Sequence, residues 1–370
     1  MKYLSCFSGV GGLEASHPPL LLCEQETAAA CVLRAKYPDV EIWPDIRTLH
    51  PPRVDIVAGG WPCQDLSIAG KQEGLAGLRS QLLSELLRVA VEARANIVVA
   101  ENVTNLLKMR DGIEFSASLN EFNKYGFPHV AWRILNAREF GLPQNRSRLI
   151  IIAAKEPASV HSLFRDITTT RPVVDSAGAD SAAGFYWTAG IHSINYTRGY
   201  VPTIKIGSSL GIASPPAVHY GDVVRALTAE ESLRLQGFDL TAADFPNRTA
   251  AYKAAGNAVA RDIGRWVLDG VSSERKVKDL NLRASQGLLF PQEKERYPTS
   301  GLYSNGVVTT VDVTYGTRAS NLSDFLDLAC SDRLSSRAAA GLLKRLNKSK
   351  LPCPESLRIA LTTLTRERAA

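Results

Sequence analysis

Short apolar segments alternate with amphipathic segments along residues 1–154. The apolar segments are four to seven residues long and predict buried strands at Tyr3–Phe7, Leu20–Glu24, Asp55–Ala58, Ile97–Glu101, His129–Leu135 and Leu149–Ala153. Between them, apolar residues recur three or four positions apart and predict helices over Glu26–Tyr37, Gln81–Ala93 and Gly112–Tyr125. This alternation is typical of an α/β fold in which helices connect the strands of a mostly parallel sheet.

The alternation stops over residues 155–222, which are rich in Ser, Thr, Gly and Pro and have no sustained period. Such a stretch predicts a small irregular β module inserted into the α/β domain. The regular pattern returns at Ala229–Gly237 and Ala250–Leu268, and beyond Gly270 the chain becomes polar, then Gly- and Tyr-rich, then helical and basic. We therefore divide the chain into four parts, 1–154, 155–222, 223–270 and 271–370.

The whole net charge of +6 lies in the last of these parts. Residues 1–270 carry 27 Lys and Arg against 27 Asp and Glu, whereas residues 271–370 carry 16 against 10. A basic excess favours a polyanionic partner such as nucleic acid. Much of it falls in one predicted helical segment, at Arg337, Lys344, Arg345, Lys348 and Lys350. Either that segment contacts phosphates, or it packs on the α/β domain through Leu342, Leu343 and Leu346.

Length and composition are those of an ordinary globular protein. Hydrophobic residues make up 45% of the 370 residues and charged residues 22%, which argues against disorder or a fibre. No run of about 18 apolar residues predicts a membrane span, and the first apolar run is broken by glycines, so it predicts a buried strand rather than a signal peptide. The six cysteines form no C-x-x-C pair and no His cluster has zinc-ligand spacing, so we expect neither a disulfide framework nor a metal. These features predict a cytoplasmic protein.

A glycine-rich segment, Phe7-Ser8-Gly9-Val10-Gly11-Gly12, follows the first predicted strand. Glycines at a strand-to-helix turn let the backbone come close to a ligand. The next strand ends at Glu24, which suits ribose hydroxyls, and the third ends at Asp45-Ile46. Together they indicate a nucleoside cofactor at the carboxyl edge of the sheet. The alternative is a turn that only closes a βα unit, and the glycine spacing does not fit the dinucleotide fingerprint of nicotinamide enzymes.

Three further segments carry side chains that can do chemistry. Cys63, within Gly59-Gly60-Trp61-Pro62-Cys63-Gln64, follows a strand at the sheet edge where ligands bind, and an accessible thiolate is a nucleophile. Glu101 leaves the next buried strand and is either a proton donor or a carboxylate with a structural partner. Arg146 and Arg148, two positions apart at the start of a strand, are predicted to share one face, unless they are only surface charges.

In this order the motifs resemble those of the DNA (cytosine-5)-methyltransferase family. The matching segments are Phe7–Gly12, Glu24, Pro62-Cys63-Gln64, Glu101-Asn102-Val103, Gln144–Arg148, Leu227–Phe238 and Gly256-Asn257-Ala258-Val259. They span residues 1 to about 268. The resemblance implies a Rossmann-like, S-adenosylmethionine-dependent methyltransferase fold. Residues 1–154 would be its catalytic and cofactor-binding part, 155–222 a small β-rich target-recognition region, 223–270 the C-terminal part of the domain and 271–370 an extension.

The resemblance also implies a role for each catalytic residue. Cys63 would add to C6 of a cytosine that is flipped out of duplex DNA, Glu101 would protonate N3, and Arg148 would hold the O2 edge. Arg146 would support charge and phosphate near the site. The cofactor S-adenosylmethionine would be lined by Phe7, Gly9, Gly11, Gly12, Glu24, Asp45, Ile46, Gly60, Pro62, Leu82, Asn257 and Ala258. One departure affects this corner, because Ser5 stands where the family often has Asp.

The predicted recognition region has a suitable composition. From Tyr186 to Gly221 it has no acidic residue but holds Tyr186, Trp187, Tyr196, Arg198, Tyr200, Lys205 and Tyr220. Such side chains can contact phosphates and base edges, or they form the core of a small β module.

The expected partner is double-stranded DNA, bound by a monomer. The role is that of a restriction-modification enzyme with a cognate endonuclease, or of an orphan methylase. The alternatives are a tRNA cytosine methyltransferase and a catalytically silent DNA-binding module.

Overall fold

The computed structural model describes residues 1–14, 16–62, 75–167, 182–188, 193–205, 215–273, 282–289, 297–304, 306–313, 316, 320–330 and 332–366, with only the backbone described over 75–80 and 282–289. The chain divides into two compact units. The first comprises Met1–Asn136, Ser147–Thr168 and Val259–Tyr315, and the second Ala137–Arg146, Thr169–Ala258 and Gly316–Ala370. Within the described ranges, no helix is long and apolar enough to cross a membrane.

The strands and helices alternate through the first half of the chain, as the sequence predicts. The strands are β1 (Tyr3–Cys6), β2 (Leu21–Cys23), β3 (Glu41–Trp43), β4 (Ile56–Gly60), β5 (Ile97–Asn102), β6 (His129–Asn136), β7 (Gln144–Asn145), β8 (Ser147–Ala154), β9 (Ala183–Phe185), β10 (Thr197–Arg198), β11 (Val201–Pro202), β12 (Ala217–Tyr220), β13 (Val223–Ala226), β14 (Leu282–Leu289), β15 (Ser300–Ser304) and β16 (Val307–Val311). The helices are α1 (Thr27–Lys36), α2 (Leu75–Glu92), α3 (Ile113–Lys124), α4 (Ala229–Arg234), α5 (Arg248–Asn257), α6 (Arg261–Ser272), α7 (Ser336–Lys348) and α8 (Glu355–Arg366). All six strands predicted for residues 1–154 are present, with ends shifted by one or two residues.

The first unit is built on a ten-stranded sheet of order β14-β16-β15-β6-β8-β5-β4-β1-β2-β3. Strands β3, β2, β1, β4 and β5 are parallel, and β8 joins β5 antiparallel. The chain leaves β1 toward β2 and β3 and returns to its other side at β4, so β1 and β4 flank a topological switch point. Open α/β sheets bind ligands beside the carboxyl ends of such strands. The predicted α/β fold is confirmed.

The central strands of this sheet are hydrophobic because both of their faces are covered. Strands β1, β5 and β8 carry mostly buried residues, as expected for strands packed between helices. The predicted apolar face of α2 packs against the sheet, where Leu83, Leu86, Leu87 and Ala90 are buried and Leu82 is half-buried. In one detail the prediction was wrong, because β3 ends at Trp43. Asp45 instead caps a short 3-10 turn by accepting a hydrogen bond from the Arg47 amide.

The second unit contains a four-stranded antiparallel sheet of order β10-β9-β12-β13. Its apolar face is covered by the C-terminal helices, because Phe185, Ala217 and Val224 share one buried cluster with residues of α7 and α8. The members from these helices are Ala339, Leu342, Leu346, Leu357, Ala360, Leu361 and Leu364. The two C-terminal helices are therefore part of the small β module.

The two units do not coincide with the four parts predicted from the sequence. Residues of the predicted extension contribute β14, β15 and β16 to the large sheet, where β15 pairs with β6. The end of the extension, from Gly316 onward, belongs to the second unit. The sequence pattern can predict a strand, but it cannot predict which strand it pairs with. Here β15 and β6 are more than 150 positions apart, and no local pattern links them.

Candidate functional site

The glycine-rich loop follows β1 at the switch point. Phe7, Gly9 and Gly11 have φ angles of +53°, +57° and +88°, in the left-handed region that favours glycine. A Cβ at Gly9 would meet nothing within 4 Å, so the glycine serves the backbone conformation and leaves open space beside the loop. A Cβ at Gly12 would lie 2.4 Å from the carbonyl oxygen of Val259, so this glycine permits close packing of the chain that leads into α6.

Glu24, just beyond β2, ties the glycine loop to α1. Its two carboxylate oxygens accept hydrogen bonds from the backbone amides of Gly9 and Glu26, each at 2.7 Å. Burial raises the pKa of Glu24, and these amide bonds oppose the rise. Each carboxylate oxygen has two acceptor sites, so Glu24 keeps capacity for a ligand hydroxyl while it holds the loop.

Ser5, which stands where the family often has Asp, lies next to a buried carboxylate, Glu14. The Ser5 hydroxyl donates to Glu14 at 2.9 Å, and Glu14 is buried. Burial raises the pKa of Glu14 to about 7, although the charge of Lys36 and the Ser5 bond lower it. The Lys36 ammonium lies 3.5 Å from the carbonyl oxygen of Gly11. Sequence analysis missed Glu14, whose one signal was an acidic residue directly after the apolar and glycine run at 9–13.

Asp45 and Ile46 follow β3 at the same sheet edge. The Asp45 carboxylate accepts from the Arg47 guanidinium at 2.7 Å and from its amide at 3.0 Å. The hydrogen bond from the Arg47 side chain is the main cause that lowers the pKa of Asp45. Ile46 is buried, and its carbonyl accepts from Arg88 of α2 at 2.6 Å. The Asp45 carboxylate is thus charged and held in place by Arg47.

Glu101 and Arg148, two of the predicted catalytic residues, lie together near the end of β5 and the start of β8. Arg148 Nε lies 2.8 Å from Glu101 Oε1, and the two side chains are 13% and 12% exposed. Burial lowers the pKa of Arg148, and the Glu101 charge opposes that shift. Gly60 is the β4 partner of Glu101, and a Cβ there would lie 2.7 Å from Glu101 Oε2. The glycine therefore makes room for the carboxylate.

The segment that leads to Cys63 is fixed to the same strand. The Asn102 side-chain amide donates to the Trp61 carbonyl at 3.3 Å, while its oxygen accepts from the Val103 amide at 2.8 Å. Trp61 is buried and Pro62 half-buried. Cys63 itself lies outside the described residues, so its predicted position stays a prediction.

Arg146 requires a correction. It is fully buried in the second unit, and its guanidinium donates to the carbonyls of Ile204 at 2.9 Å, Gly256 at 2.9 Å and Ala258 at 2.6 Å. Arg146 lies between β7 and β8 and belongs to the second unit, whereas Arg148 lies in β8 of the first unit, so the two arginines are not on one strand. The expected contact of Arg146 with phosphate does not fit a guanidinium committed to the main chain.

Asn257 and Ala258, the last predicted cofactor contacts, end α5 in the second unit. Asn257 is exposed, and the Ala258 carbonyl is one of the three that Arg146 binds. Arg146 is therefore a residue that shapes the turn carrying Asn257. Sequence reasoning could not find this role, since its partners are 58 to 112 positions away.

Several polar and aromatic side chains of the predicted recognition region are held by internal contacts. Tyr186 donates to the Thr203 carbonyl at 2.7 Å, and Trp187 to the Pro215 carbonyl at 3.0 Å. The Tyr196 hydroxyl lies 2.9 Å from His219 Nδ1, and the Arg138 guanidinium stacks 3.9 Å from the Tyr200 ring centre. Arg198 and Lys205 remain exposed. In the described ranges, no three His, Cys, Asp or Glu side chains are grouped to hold a metal ion.

The fold is that of a Rossmann-like methyltransferase, as comparison with solved structures shows. A putative DNA modification methyltransferase encoded within an E. coli prophage matches with a TM-score of 0.50 and 17% identity, over 74% of this chain and 98% of that one. DNMT2 of Spodoptera frugiperda matches with a TM-score of 0.51 and 16% identity, over 74% and 99%.

Sequence comparison gives the family. The model of the C-5 cytosine-specific DNA methylases matches residues 1–176. The Type II methyltransferase M2.BsuMI of Bacillus subtilis (strain 168) is 36% identical over 301 residues, which cover 74% of this chain and 76% of the relative. The Type II methyltransferase M.Bsp6I of Bacillus sp. (strain RFL6) is 25% identical over 311 residues, or 73% and 98%. The chain belongs to the C-5 cytosine-specific DNA methylase family, a family of DNA (cytosine-5)-methyltransferases, and the resemblance is confirmed.

Proposed function

We propose that this protein transfers a methyl group from S-adenosylmethionine to C5 of a flipped-out cytosine in a specific duplex DNA sequence. The observation that carries the proposal is the Glu101–Arg148 pair, held where the carboxyl end of β5 meets the amino end of the antiparallel strand β8, beside the strand that leads to Cys63. It offers a proton donor and a fixed guanidinium, which suit the N3 and O2 edge of cytosine.

The covalent chemistry belongs to Cys63. Its thiolate forms a bond to C6, and the electrons of the C5–C6 double bond move to make C5 nucleophilic, while N3 takes a proton from Glu101. S-Adenosylmethionine, when bound, supplies the methyl group. Loss of the C5 proton to solvent then restores the C5–C6 double bond and expels the Cys63 thiolate, and N3 returns its proton to Glu101. The base must leave the stack first, because C6 cannot be reached inside a duplex.

Arg148 couples base binding to the state of Glu101. Without substrate, its guanidinium at 2.8 Å stabilises the charged carboxylate. A cytosine whose O2 accepts from Arg148 draws that stabilisation away from Glu101, so the carboxyl group can take up the proton that N3 needs. The pair therefore favours proton uptake when the base is present.

The cofactor site fits a nucleoside with an amino-acid tail. Open space beside Gly9, the free acceptor capacity of Glu24 and the fixed charge of Asp45 are arranged at one sheet edge. Residues that would hold S-adenosylmethionine in the first unit are Phe7, Gly9, Gly11, Gly12, Glu24, Asp45, Ile46, Gly60, Pro62 and Leu82. Asn257 and Ala258, which the family resemblance also assigns to the cofactor, lie in the second unit.

The second unit would recognise the target. The Type II methyltransferase M2.BsuMI is 36% identical to this chain, so we place the protein in a bacterial or phage modification system, acting in the cytoplasm on duplex DNA. A cognate endonuclease would accompany it in a restriction-modification pair.

A duplex containing 5-fluorocytosine tests this function. The fluorine at C5 cannot leave as a proton does, so an active enzyme stays bonded through Cys63 once methyl transfer has occurred. Mass spectrometry should show a protein–DNA adduct that requires S-adenosylmethionine and is missing in Cys63→Ser. An adduct on tRNA alone would identify an RNA enzyme. Binding without an adduct would identify a silent DNA-binding module.

A further inference from the structure

Helix α7 presents a row of basic side chains on the face opposite its buried residues. Ala339, Leu342 and Leu346 are buried against the four-stranded sheet, whereas Arg337, Lys344 and Lys348 are exposed. At 100° per residue, the three basic residues fall within an arc of about 40°, diametrically opposite the buried side. We call these three residues the basic ridge.

The basic ridge differs from the described basic residues of helices α2 and α3, which have acidic partners on their own helix. In α2, Arg88 pairs with Glu85 and Glu92, each at 2.8 Å, and in α3 Lys124 pairs with Glu121 at 3.6 Å. Helix α7 contains no acidic residue. In the parts of the chain that the structure describes, no carboxylate pairs with the basic ridge. Its three charges are therefore available to an external anion.

Arg345, on the same helix, does not belong to this group. It is half-buried and donates to the carbonyls of Trp187 and Thr188, and it fastens α7 to the sheet. The helix that carries the basic ridge is thus held by apolar contacts on one side and by Arg345 on another. A fixed helix presents its charges with little loss of freedom on binding.

Gly341 lies in the middle of the ridge face. A Cβ at this position would meet nothing within 4 Å, so packing inside the protein does not require a glycine. Glycine in a helix interior is less favourable than alanine. Bare backbone between Arg337 and Lys344 would let a bulky anion come close to the helix.

We propose that the basic ridge contacts the phosphate backbone of the DNA duplex, beside the sequence that is methylated and without reading it. The proposal rests on the proposed function for the choice of DNA as the polyanion. Arg337 and Lys348 are about 16 Å apart along the helix, a length of duplex axis over which the two DNA strands together carry about nine phosphates, at one per about 1.7 Å. Such contacts add affinity for any duplex and no sequence preference.

The test compares two triple variants that lose the same charge. The ridge variant is Arg337→Gln/Lys344→Gln/Lys348→Gln. The control variant is Lys2→Gln/Arg53→Gln/Arg94→Gln, and it removes three exposed charges that precede β1, β4 and β5. These three positions lie at the opposite end of those strands from the site. Binding is measured between 50 and 200 mM salt on two duplexes of equal length, one with the methylated sequence and one without. The ridge variant should weaken binding to both duplexes by a similar factor, and the slope of log K against log salt should shrink by about 2.7, at 0.9 per phosphate contact.

Several outcomes would overturn the proposal. It fails if the ridge variant keeps the wild-type affinity and salt slope while its thermal unfolding curve shows that it is folded. It also fails if the control variant loses as much affinity and slope as the ridge variant. It also fails if bisulfite sequencing shows that the ridge variant methylates a different sequence. Gly341→Gln keeps every charge but adds a neutral side chain, and it should also weaken binding to both duplexes. Failure of the proposed function would appear separately, as wild-type protein that binds duplexes but never methylates them.

Discussion

Charged side chains are used differently at the edge of the large sheet and inside the second unit. Glu101 and Arg148 form one ion pair and keep 12% and 13% exposure. Arg146, two positions from Arg148, is fully buried and binds three carbonyls, and Arg225 pairs with Glu231 at 2.6 Å with both side chains inaccessible. A pair at the sheet edge can exchange its partner for a substrate. A buried guanidinium bound to main chain can only hold a shape.

The largest expected effect is at the sheet edge. Glu101→Gln keeps the shape of the side chain but cannot deliver a proton to N3. We expect the single-turnover rate of methyl transfer to fall by roughly 10²–10⁴, the range for a positioned general acid, while thermal stability changes little. An unchanged rate at saturating DNA would remove Glu101 from the chemistry.

The second prediction concerns the shape of the second unit. Arg146→Met leaves three buried carbonyls without their donor, so we expect the free energy of unfolding to fall by about 3–5 kcal/mol. Arg148→Met is the matched comparison, because it removes a partly exposed guanidinium. Compared with Arg146→Met, it should lower the free energy of unfolding less and the methylation rate more. Urea unfolding curves of both variants measure the two losses of unfolding free energy. Equal losses of stability would erase the distinction between the two arginines.

The third prediction uses pH to test Glu14, beneath the glycine loop. Its pKa in the folded protein is about 7, above the ordinary value of 4.5. Between these values the folded state binds more protons than the unfolded state, so the free energy of unfolding falls as pH rises. Glu14→Gln cannot titrate and should gain about 2–3 kcal/mol relative to wild type between pH 4.5 and 7. Glu41→Gln, at an exposed position of β3, is the control, and parallel curves for Glu14→Gln and wild type would refute the assignment.

The smallest effect is expected from Gly60→Ala. The new methyl group would approach Glu101 Oε2 to 2.7 Å, and the carboxylate, held by Arg148, must shift by a few tenths of an ångström. Displacement of a catalytic group by about 1 Å can cost 10²-fold, so we expect a smaller loss of about 10-fold to 50-fold in rate. Gly316→Ala has open space around its Cβ and should leave the rate unchanged. A Gly60→Ala enzyme of full activity would show that the carboxylate tolerates movement.

Sequence predicted the parts of the molecule whose signals are local. The strands of the large sheet follow from runs of apolar residues, and α2 from the spacing of Leu83, Leu86 and Leu87. The motif order indicated the family and assigned catalytic roles to Glu101 and Arg148. Each of these conclusions depends on residues within a few positions of one another, or on a known pattern.

Long-range partners were beyond prediction. The buried role of Arg146 depends on carbonyls at Ile204, Gly256 and Ala258, which no motif links to it. The amphipathic pattern of α7 predicts a helix with one buried face. The pattern does not show whether that face covers the small sheet or the α/β domain, because a hydrophobic stripe fits either surface.

The central claim is that Cys63 carries the methylation, and bisulfite sequencing tests it most directly. DNA from cells that express the wild-type protein should contain 5-methylcytosine at one recurring sequence. DNA from cells that express Cys63→Ser at the same level should contain none, while the purified variant still binds S-adenosylmethionine, since the thiolate serves the chemistry rather than the cofactor site. Methylation of the same sequence by Cys63→Ser at a rate near that of the wild type would contradict the account.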